Sequence, residues 1–450
     1  MFASDSPMAI QIERRPGHYG ALILLLGLLL APAVVSGQEA AVPLQFNFSD
    51  PGARSMGFGG AFVALADDAT AAFANPAGLT QILKPEISIE GRRWSYSTSF
   101  TEGGRAEGLP SGFGIDSTVG LRTATSDIDI TGLSFVSLVY PKGSWSLAFY
   151  RHNLGNFEFF SETQGLFGGG TDCCQTRDFD MRATNDMSIV SYGLSAAYRV
   201  NDSLDLGLGV VYYDGSFVSN ATLFRTDDDS PASIVGPNSY LPERSVLNER
   251  ISFDDSDTAL SAGFLWRLSD KWSIGGVYRQ APEVNLGVEL TAGETFDPGV
   301  APGDVLLRVA GVLEMPRMYG LGLAYRDPDG RLTVSFQWDQ VKYSSIVDSL
   351  RLDDRAMDDA NELHLGAEYV FIDSTPIVAL RFGAWLEPDH QLRARTDNVF
   401  AQALLPRGKD EIHLSAGLGV AVERFQIDVA ADFADHLDTV SLSVIYNFDL

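Results

Sequence analysis

Few residues in this 450-residue chain have types and spacings that could do chemistry. Cys173 and Cys174 are the only cysteines. Being adjacent, they could close a strained vicinal disulfide, or hold a metal with outside help, or stand in a loop without consequence; they cannot bridge distant segments. Asp227, Asp228 and Asp229, and Asp353, Asp354, Asp358 and Asp359, are clustered carboxylates of the kind that attract Ca²⁺. Neither cluster has the spacing of a calcium loop, and solvated acidic loops account for both. The six histidines show no metal-ligand spacing, and no Gly-x-Ser-x-Gly elbow occurs. The Gly57, Gly59, Gly60 run follows no strand and opens no βαβ unit, so it is not a dinucleotide site. No enzyme, cofactor or resident metal is read from the chain.

Composition points elsewhere. Hydrophobic residues make up 45% of the chain, with 44 Gly, 27 Phe and 15 Tyr, which is too apolar for disorder. A net charge of -27 argues against nucleic acid, whose phosphates need a basic surface. Arg14 and Arg15 precede an apolar run, Ala21 to Val35, that ends in the small residues Ser36 and Gly37. This is the pattern of a secretory signal peptide over 1–37, with a mature chain starting near Gln38. Beyond residue 38 no apolar run is long enough for a helical membrane span.

The elements that must position everything else are strands. Leu332, Val334, Phe336 and Trp338 alternate with Thr333, Ser335, Gln337 and Asp339; Ile427, Val429 and Ala431 alternate with Gln426, Asp428 and Asp432. Fourteen such segments begin near residues 86, 128, 144, 184, 204, 246, 271, 305, 331, 361, 376, 410, 425 and 439. Short turns (Pro141 to Gly143, Asn201-Asp202, Ser269-Asp270, Asp327 to Gly330, Asp373 to Thr375, Glu423-Arg424) alternate with longer stretches at 101–127, 163–183, 226–245, 292–304, 348–360 and 388–409. A secreted sandwich has no reason to gather every long loop at one end, and no fixed sequence period supports a propeller. An outer-membrane barrel has that reason: an even strand number, short periplasmic turns and long outer loops. The predicted fold is all-β, a 14-stranded antiparallel transmembrane barrel over 85–450. Leu442, Val444, Tyr446, Phe448 and Leu450 share one face of the last strand, which resembles the terminal signal read by barrel-assembly machinery, although that signal more often ends in Phe.

About eight strands already close around a packed interior, so fourteen leave a lumen that needs a plug. The stretch Asp50 to Leu79 precedes the first strand and is rich in glycine and small residues. Gly57, Gly59 and Gly60, the Ala66-Asp67-Asp68-Ala69 core, and Asn75-Pro76-Ala77-Gly78 together resemble the N-terminal region of the FadL family of outer-membrane transporters. That resemblance implies a monomer whose lumen is occluded by a partly helical hatch, here 38–84. It also implies a fatty acid or hydrocarbon as ligand, captured among the outer loops and released sideways into membrane lipid beside a kinked third strand. A barrel of the same family serving as scaffold or shuttle in protein secretion is the alternative; a lipolytic barrel is a weaker one.

The third strand carries a feature that fits such a kink. Trp145, Leu147 and Phe149 share a lipid-facing parity that then meets Arg151 and Asn153, before Gly155 and the aromatics Phe157, Phe159 and Phe160. A charge facing mid-membrane lipid costs about 2–4 kcal/mol. Either the strand bends over His152, Asn153, Gly155, Asn156 and Phe157, or Arg151 already lies at the membrane rim. Inward charges, Arg199, Asp205, Asp339, Glu368, Arg381, Asp428 and Asp432, are expected to pair with each other or with the hatch, or to gate transport.

Overall fold

The computed structural model describes residues 49–448 apart from 111, 113, 114, 118, 169–175, 178, 179 and 227–236. The expected signal peptide, the Cys173-Cys174 pair, Asp227 to Asp229 and Leu450 lie outside the described residues.

Six long strands of 19 to 23 residues come first: β1 (Glu86–Arg105), β2 (Leu121–Lys142), β3 (Trp145–Thr163), β4 (Asp180–Arg199), β5 (Leu204–Phe224) and β6 (Ser245–Arg267). Two strands follow in two pieces each, β7 (Trp272–Arg279 and Glu283–Ala292) and β8 (Val305–Glu314 and Met318–Arg326). Pro282 and Pro316 sit in the two gaps, where a residue without an N–H cannot continue the ladder. Six short strands of 9 to 12 residues complete the wall: β9 (Leu332–Val341), β10 (Ala360–Phe371), β11 (Ile377–Glu387), β12 (Glu411–Val422), β13 (Phe425–Phe433) and β14 (Leu437–Asn447). β14 pairs antiparallel with β1, from Asn447 opposite Glu86 to Leu437 opposite Tyr96, which closes a 14-stranded barrel and abolishes its edges.

The outer face follows from the alternation. On β5, Leu206, Leu208, Val210 and Tyr212 are exposed, and the same face then turns polar at Asp214 and Ser216. Outward-facing rings, exposed or half-buried, mark both limits of this apolar band. Trp145 lies against Tyr198 and Trp272 against Tyr325 at the short-turn end, and Tyr192 against Tyr212 and Tyr278 against Tyr319 at the other. Two such aromatic girdles are what a bilayer imposes. Nine to twelve residues suffice to span it, so the short strands stop near its surface and the six long ones project beyond.

That projection corrects the expected loops. β1 runs to Arg105 and β2 starts at Leu121, taking in both ends of the stretch expected as loop at 101–127. Thr123, Thr125 and Asp127 face out while Ala124 and Ser126 face in. With water on the outer side, no contrast in polarity betrays the strand. A short helix, α3 (Ser344–Leu350), runs into the stretch at 348–360, and another, α4 (Val399–Leu404), lies within 388–409; they are numbered after the two in the plug.

Candidate functional site

The plug occupies the lumen as α1 (Ala53–Gly57), a turn through Gly59 and Gly60, α2 (Ala71–Ala74) and a 3₁₀ turn, Pro76–Gln81. Gly59 and Gly60 have φ of 64° and 77°, a region glycine enters at no steric cost. Asn75 explains its place before Pro76. Its Oδ1 accepts the Ala77 N–H and caps the 3₁₀ turn, while its Nδ2 donates to Val63 O at 2.9 Å and to Phe264 O of β6 at 3.0 Å. One side chain thus fixes the turn, the plug's own fold and the wall.

The wall meets the plug through glycine. Gly207, Gly263, Gly275, Gly322, Gly366, Gly383 and Gly417 lie on seven different strands and face plug atoms so closely that a Cβ at any of them would crowd the plug. Six of them form cross-strand pairs: Gly207 with Gly263, Gly275 with Gly322, and Gly366 with Gly383. At Gly383 the added carbon would collide with the Gly59 amide, and at Gly207 with that of Ala77. The glycine abundance of the sequence is in part this collar.

On the short-strand side the contact is ionic. Asp67 accepts from Arg54 and, at 2.7 Å, from Arg326 of β8. Asp68 receives Arg54 at 3.4 Å and the Thr70 amide at 2.9 Å, which makes it both ion-pair partner and turn former. Arg54 forks onto both oxygens of Glu368 at 3.2 Å; Glu368 takes Arg381 at 2.6 Å, and Arg381 reaches Asp428 at 2.6 Å. Bidentate, charge-assisted bonds of this kind hold a geometry as well as an energy. Further round, His413 lies between Asp432 (2.7 Å) and Glu387 (3.0 Å). A separate group on the long strands joins Asp205 of β5 to Arg199 of β4 at 3.4 Å and Arg267 of β6 at 2.6 Å. Glu368, Arg381, Asp428, His413, Asp432 and Glu387, with Gln337, Asp339, Glu362 and His364, give β9–β13 a lumen face that is largely polar.

The tall side is the opposite. Tyr96 and Phe100 of β1, Phe157 and Phe159 of β3, Met187, Ile189, Tyr213, Phe217 and Phe253 belong to one buried apolar cluster with Phe73 of the plug. Tyr96 meets Phe157 edge-on at 5.2 Å and Phe100 meets Phe159 at 6.0 Å. Such pairs add about 0.5–1.5 kcal/mol each beyond the area they bury.

This side also holds a break in the wall. β2 and β3 pair only from Lys142 opposite Trp145 up to Phe135 opposite His152. Above that point β3 continues on β4 with a register shift between Asn153 and Gly155, so Leu154 is the extra residue of a bulge. β2 meanwhile stays with β1 as far as Leu121. Between β2 above Ser134 and β3 above Asn153 there is no ladder; Phe160 N donating to Ser126 Oγ at 3.2 Å is a lone crossing bond. Arg151 stands in the fork, donating to the carbonyls of Leu133 and Ser134, and its strand neighbour across β4 is Tyr192 of the outer girdle. The break therefore begins at the membrane rim. His152 is buried against Phe73 at 4.4 Å, Gly155 lies against Met187 and Ile189, Asn156 O accepts Tyr96 OH at 3.1 Å, and Phe157 is fully buried. A cavity of about 20 Å³ sits beneath the bulge, lined by Leu154, Phe73, Ile189 and Pro282 among others.

The second acidic cluster has partners. Asp358 binds Arg393, Asp359 binds Lys342 and Asp354 binds Arg355. The Arg393 guanidinium holds the Asp358 carboxyl below its ordinary range. Phe157 and Phe159 of the third strand are among the aromatics named from the sequence, which did not single out Arg54, Arg326, the wall glycines or the other lumen aromatics. The wall residues among them face inward at positions where the strand alternation alone cannot say what they meet, and Arg54 is placed by the fold of α1.

A closed barrel with a lipid-facing band and a plugged lumen is an outer-membrane protein. Residues 175–433 match the family described as outer membrane protein transport protein (OMPP1/FadL/TodX), and the chain belongs to that family, one of transport barrels of the bacterial outer membrane rather than of enzymes. Its fold is similar to that of a Pseudomonas aeruginosa FadL homologue, 15% identical with a TM-score of 0.62 over 91% of this chain and 100% of that one. The Ralstonia pickettii toluene transporter TbuX (15% identity, TM-score 0.52, 90% of this chain and 99% of that one) is also similar. So is the Pseudomonas putida toluene transporter TodX (14% identity, TM-score 0.51, 90% and 99%). No curated protein sequence matches the chain.

Proposed function

We propose that the barrel carries hydrophobic small molecules, fatty acids or hydrocarbons, passively into the outer membrane, and that they leave through the break between β2 and β3. The observation that carries this reading is the coincidence of an unpaired length of wall with the buried aromatic tract. An apolar molecule moving along that tract and out at the membrane rim need not return its apolar area to water, where each Å² exposed costs roughly 25 cal/mol. A water-filled pore offers no such saving. TbuX and TodX are toluene transporters by description, and a small aromatic hydrocarbon suits rings arranged edge-on around the path. Residues 49–84 serve as the hatch that keeps the lumen shut to polar solutes, and the barrel works as a monomer in contact with lipid after insertion by assembly machinery. Family membership gives no support to a secretion scaffold.

The test is uptake of toluene and of a long-chain fatty acid by cells carrying the protein. Gly155→Val puts branched methyls against Met187 and Ile189, where a Cβ already stands 3.3 Å from a Met187 carbon. Uptake is expected to fall several-fold with barrel levels unchanged. Unaltered uptake in a normally inserted variant would remove β3 from the route.

A further inference from the structure

We infer that Asp339, Glu362 and His364 form a binding site for a divalent cation of zinc type, set in the lumen wall against the plug. Glu362 and His364 are two apart on β10, so they share the inward face, and Asp339 lies opposite Glu362 on β9. That is a strand spacing; a search for helical or loop metal motifs passes over it. One ligand atom from each falls within 4.8 Å of the others.

The imidazole is oriented as a metal-ligating histidine is. Its Nδ1 lies 2.7 Å from the Gly59 carbonyl, which can only accept, so Nδ1 carries the hydrogen. In the neutral ring this leaves the Nε2 lone pair facing Asp339 and Glu362. Trp385 stacks on the ring at 5.1 Å and 13°, fixing its plane, and Gly60 packs on its edge, where a Cβ would stand 3.1 Å from Nδ1. His364 is 7% exposed, and Nε2 has no hydrogen-bond partner among the described residues. It stands 3.4 Å from Asp339 Oδ2 and 3.5 Å from Glu362 Oε2. Those distances are long for charge-assisted hydrogen bonds, which run about 2.7–2.9 Å. They match the edge of a tetrahedron, about 3.4 Å, around an ion with ligands ~2.1 Å away.

Charge points the same way. The neighbouring basic groups are engaged: Arg279 with Asp50 at 2.7 Å, Arg92 with Glu90, and His413 with Glu387 and Asp432. Two buried carboxylates therefore face one imidazole, and even a protonated ring leaves a net negative charge, which burial penalises. A divalent ion with a neutral ring balances it. The three side chains line a cavity of about 80 Å³, which supplies an entry path and room for water in the fourth position. A nitrogen ligand with so few oxygens suits Zn²⁺ rather than Ca²⁺ or Mg²⁺. Because Gly59 belongs to the plug, a bound ion would stiffen the plug's attachment to β9 and β10.

The experiment is a ZnCl₂ titration of the detergent-purified full barrel, stripped with chelator, by calorimetry and by competition with a chromophoric chelator. Folding is checked from the heat-modifiable mobility of the barrel. One ion per chain is expected, resistant to millimolar Ca²⁺ and Mg²⁺. His364→Gln, Glu362→Gln and Asp339→Asn should each weaken it by roughly tenfold or more. His436→Gln, a loop histidine, should leave it unchanged. Absence of zinc binding to the folded wild type, or equal binding by folded His364→Gln, would overturn the assignment.

Discussion

The two sides of this lumen are built from different chemistry. Around β9–β13 the inward positions are mostly Thr, Ser, Gln, His and charged residues with the collar glycines between them, tied to the plug by Arg54, Asp67 and Asp68. Around β1–β6 many of them are aromatic or aliphatic and pack with Phe73, while Ser137 and Ser195 donate to the plug carbonyls of Ala69 and Ala72. The first side grips the plug through ion pairs; the second holds it through bonds to its backbone and carries the aromatic tract. The wall differs in the same sense. It is continuously paired from β9 to β14, and parted between β2 and β3. A plugged barrel that must pass oil and refuse salt needs both properties, and here they occupy opposite arcs of one ring.

The division can be attacked from either arc. Deleting residues 50–82 removes the gripped object itself, and liposome-swelling assays should show an order-of-magnitude rise in permeation by small sugars. Arg381→Ala strips the shared partner from Glu368 and Asp428, and breaking a buried ionic group of this kind costs about 3–5 kcal/mol. The plug should become susceptible to protease from the periplasmic side and sugars should leak, with hydrocarbon uptake retained. Gly383→Val drives a side chain into the Gly59 amide, and overpacking costs about 1–3 kcal/mol; the same leak is expected in milder form. Phe157→Leu, a nearly volume-conserving change worth less than about 1.5 kcal/mol, should slow toluene uptake and leave sugar exclusion intact. If Phe157→Leu leaked sugar, or Arg381→Ala lost only hydrocarbon uptake, the two arcs would not be separate in function.

Much of this was legible in the chain. Leu332 to Asp339 and Phe425 to Asp432 alternate cleanly because lipid lies on one side and a polar lumen on the other, and the structure turns each residue as that rule requires. The rule fails where its cause is missing. Above the membrane Thr123, Thr125 and Asp127 face water, both faces of β2 are polar, and the strand looks like loop. In the lumen it says which residues point inward but not toward what. Glu368 and Arg381 are expected from parity to pair with another inward charge or with the hatch, whereas Arg54, the plug partner of Glu368, is placed by the fold of α1. Gly366 and Gly383 look like weak points in strands until Phe58 and Gly59 are seen against them.

The glycine collar has a consequence for how such a protein can be altered. Strand number sets the bore of the barrel, and the plug's sequence sets its girth; the seven missing side chains are the clearance between the two. Plug and wall are therefore fitted parts rather than interchangeable modules. This plug placed in a barrel of equal strand number but without those glycines would meet side chains wherever it now meets backbone. Such a chimera is expected to assemble open or not at all, however well each half folds in its own company.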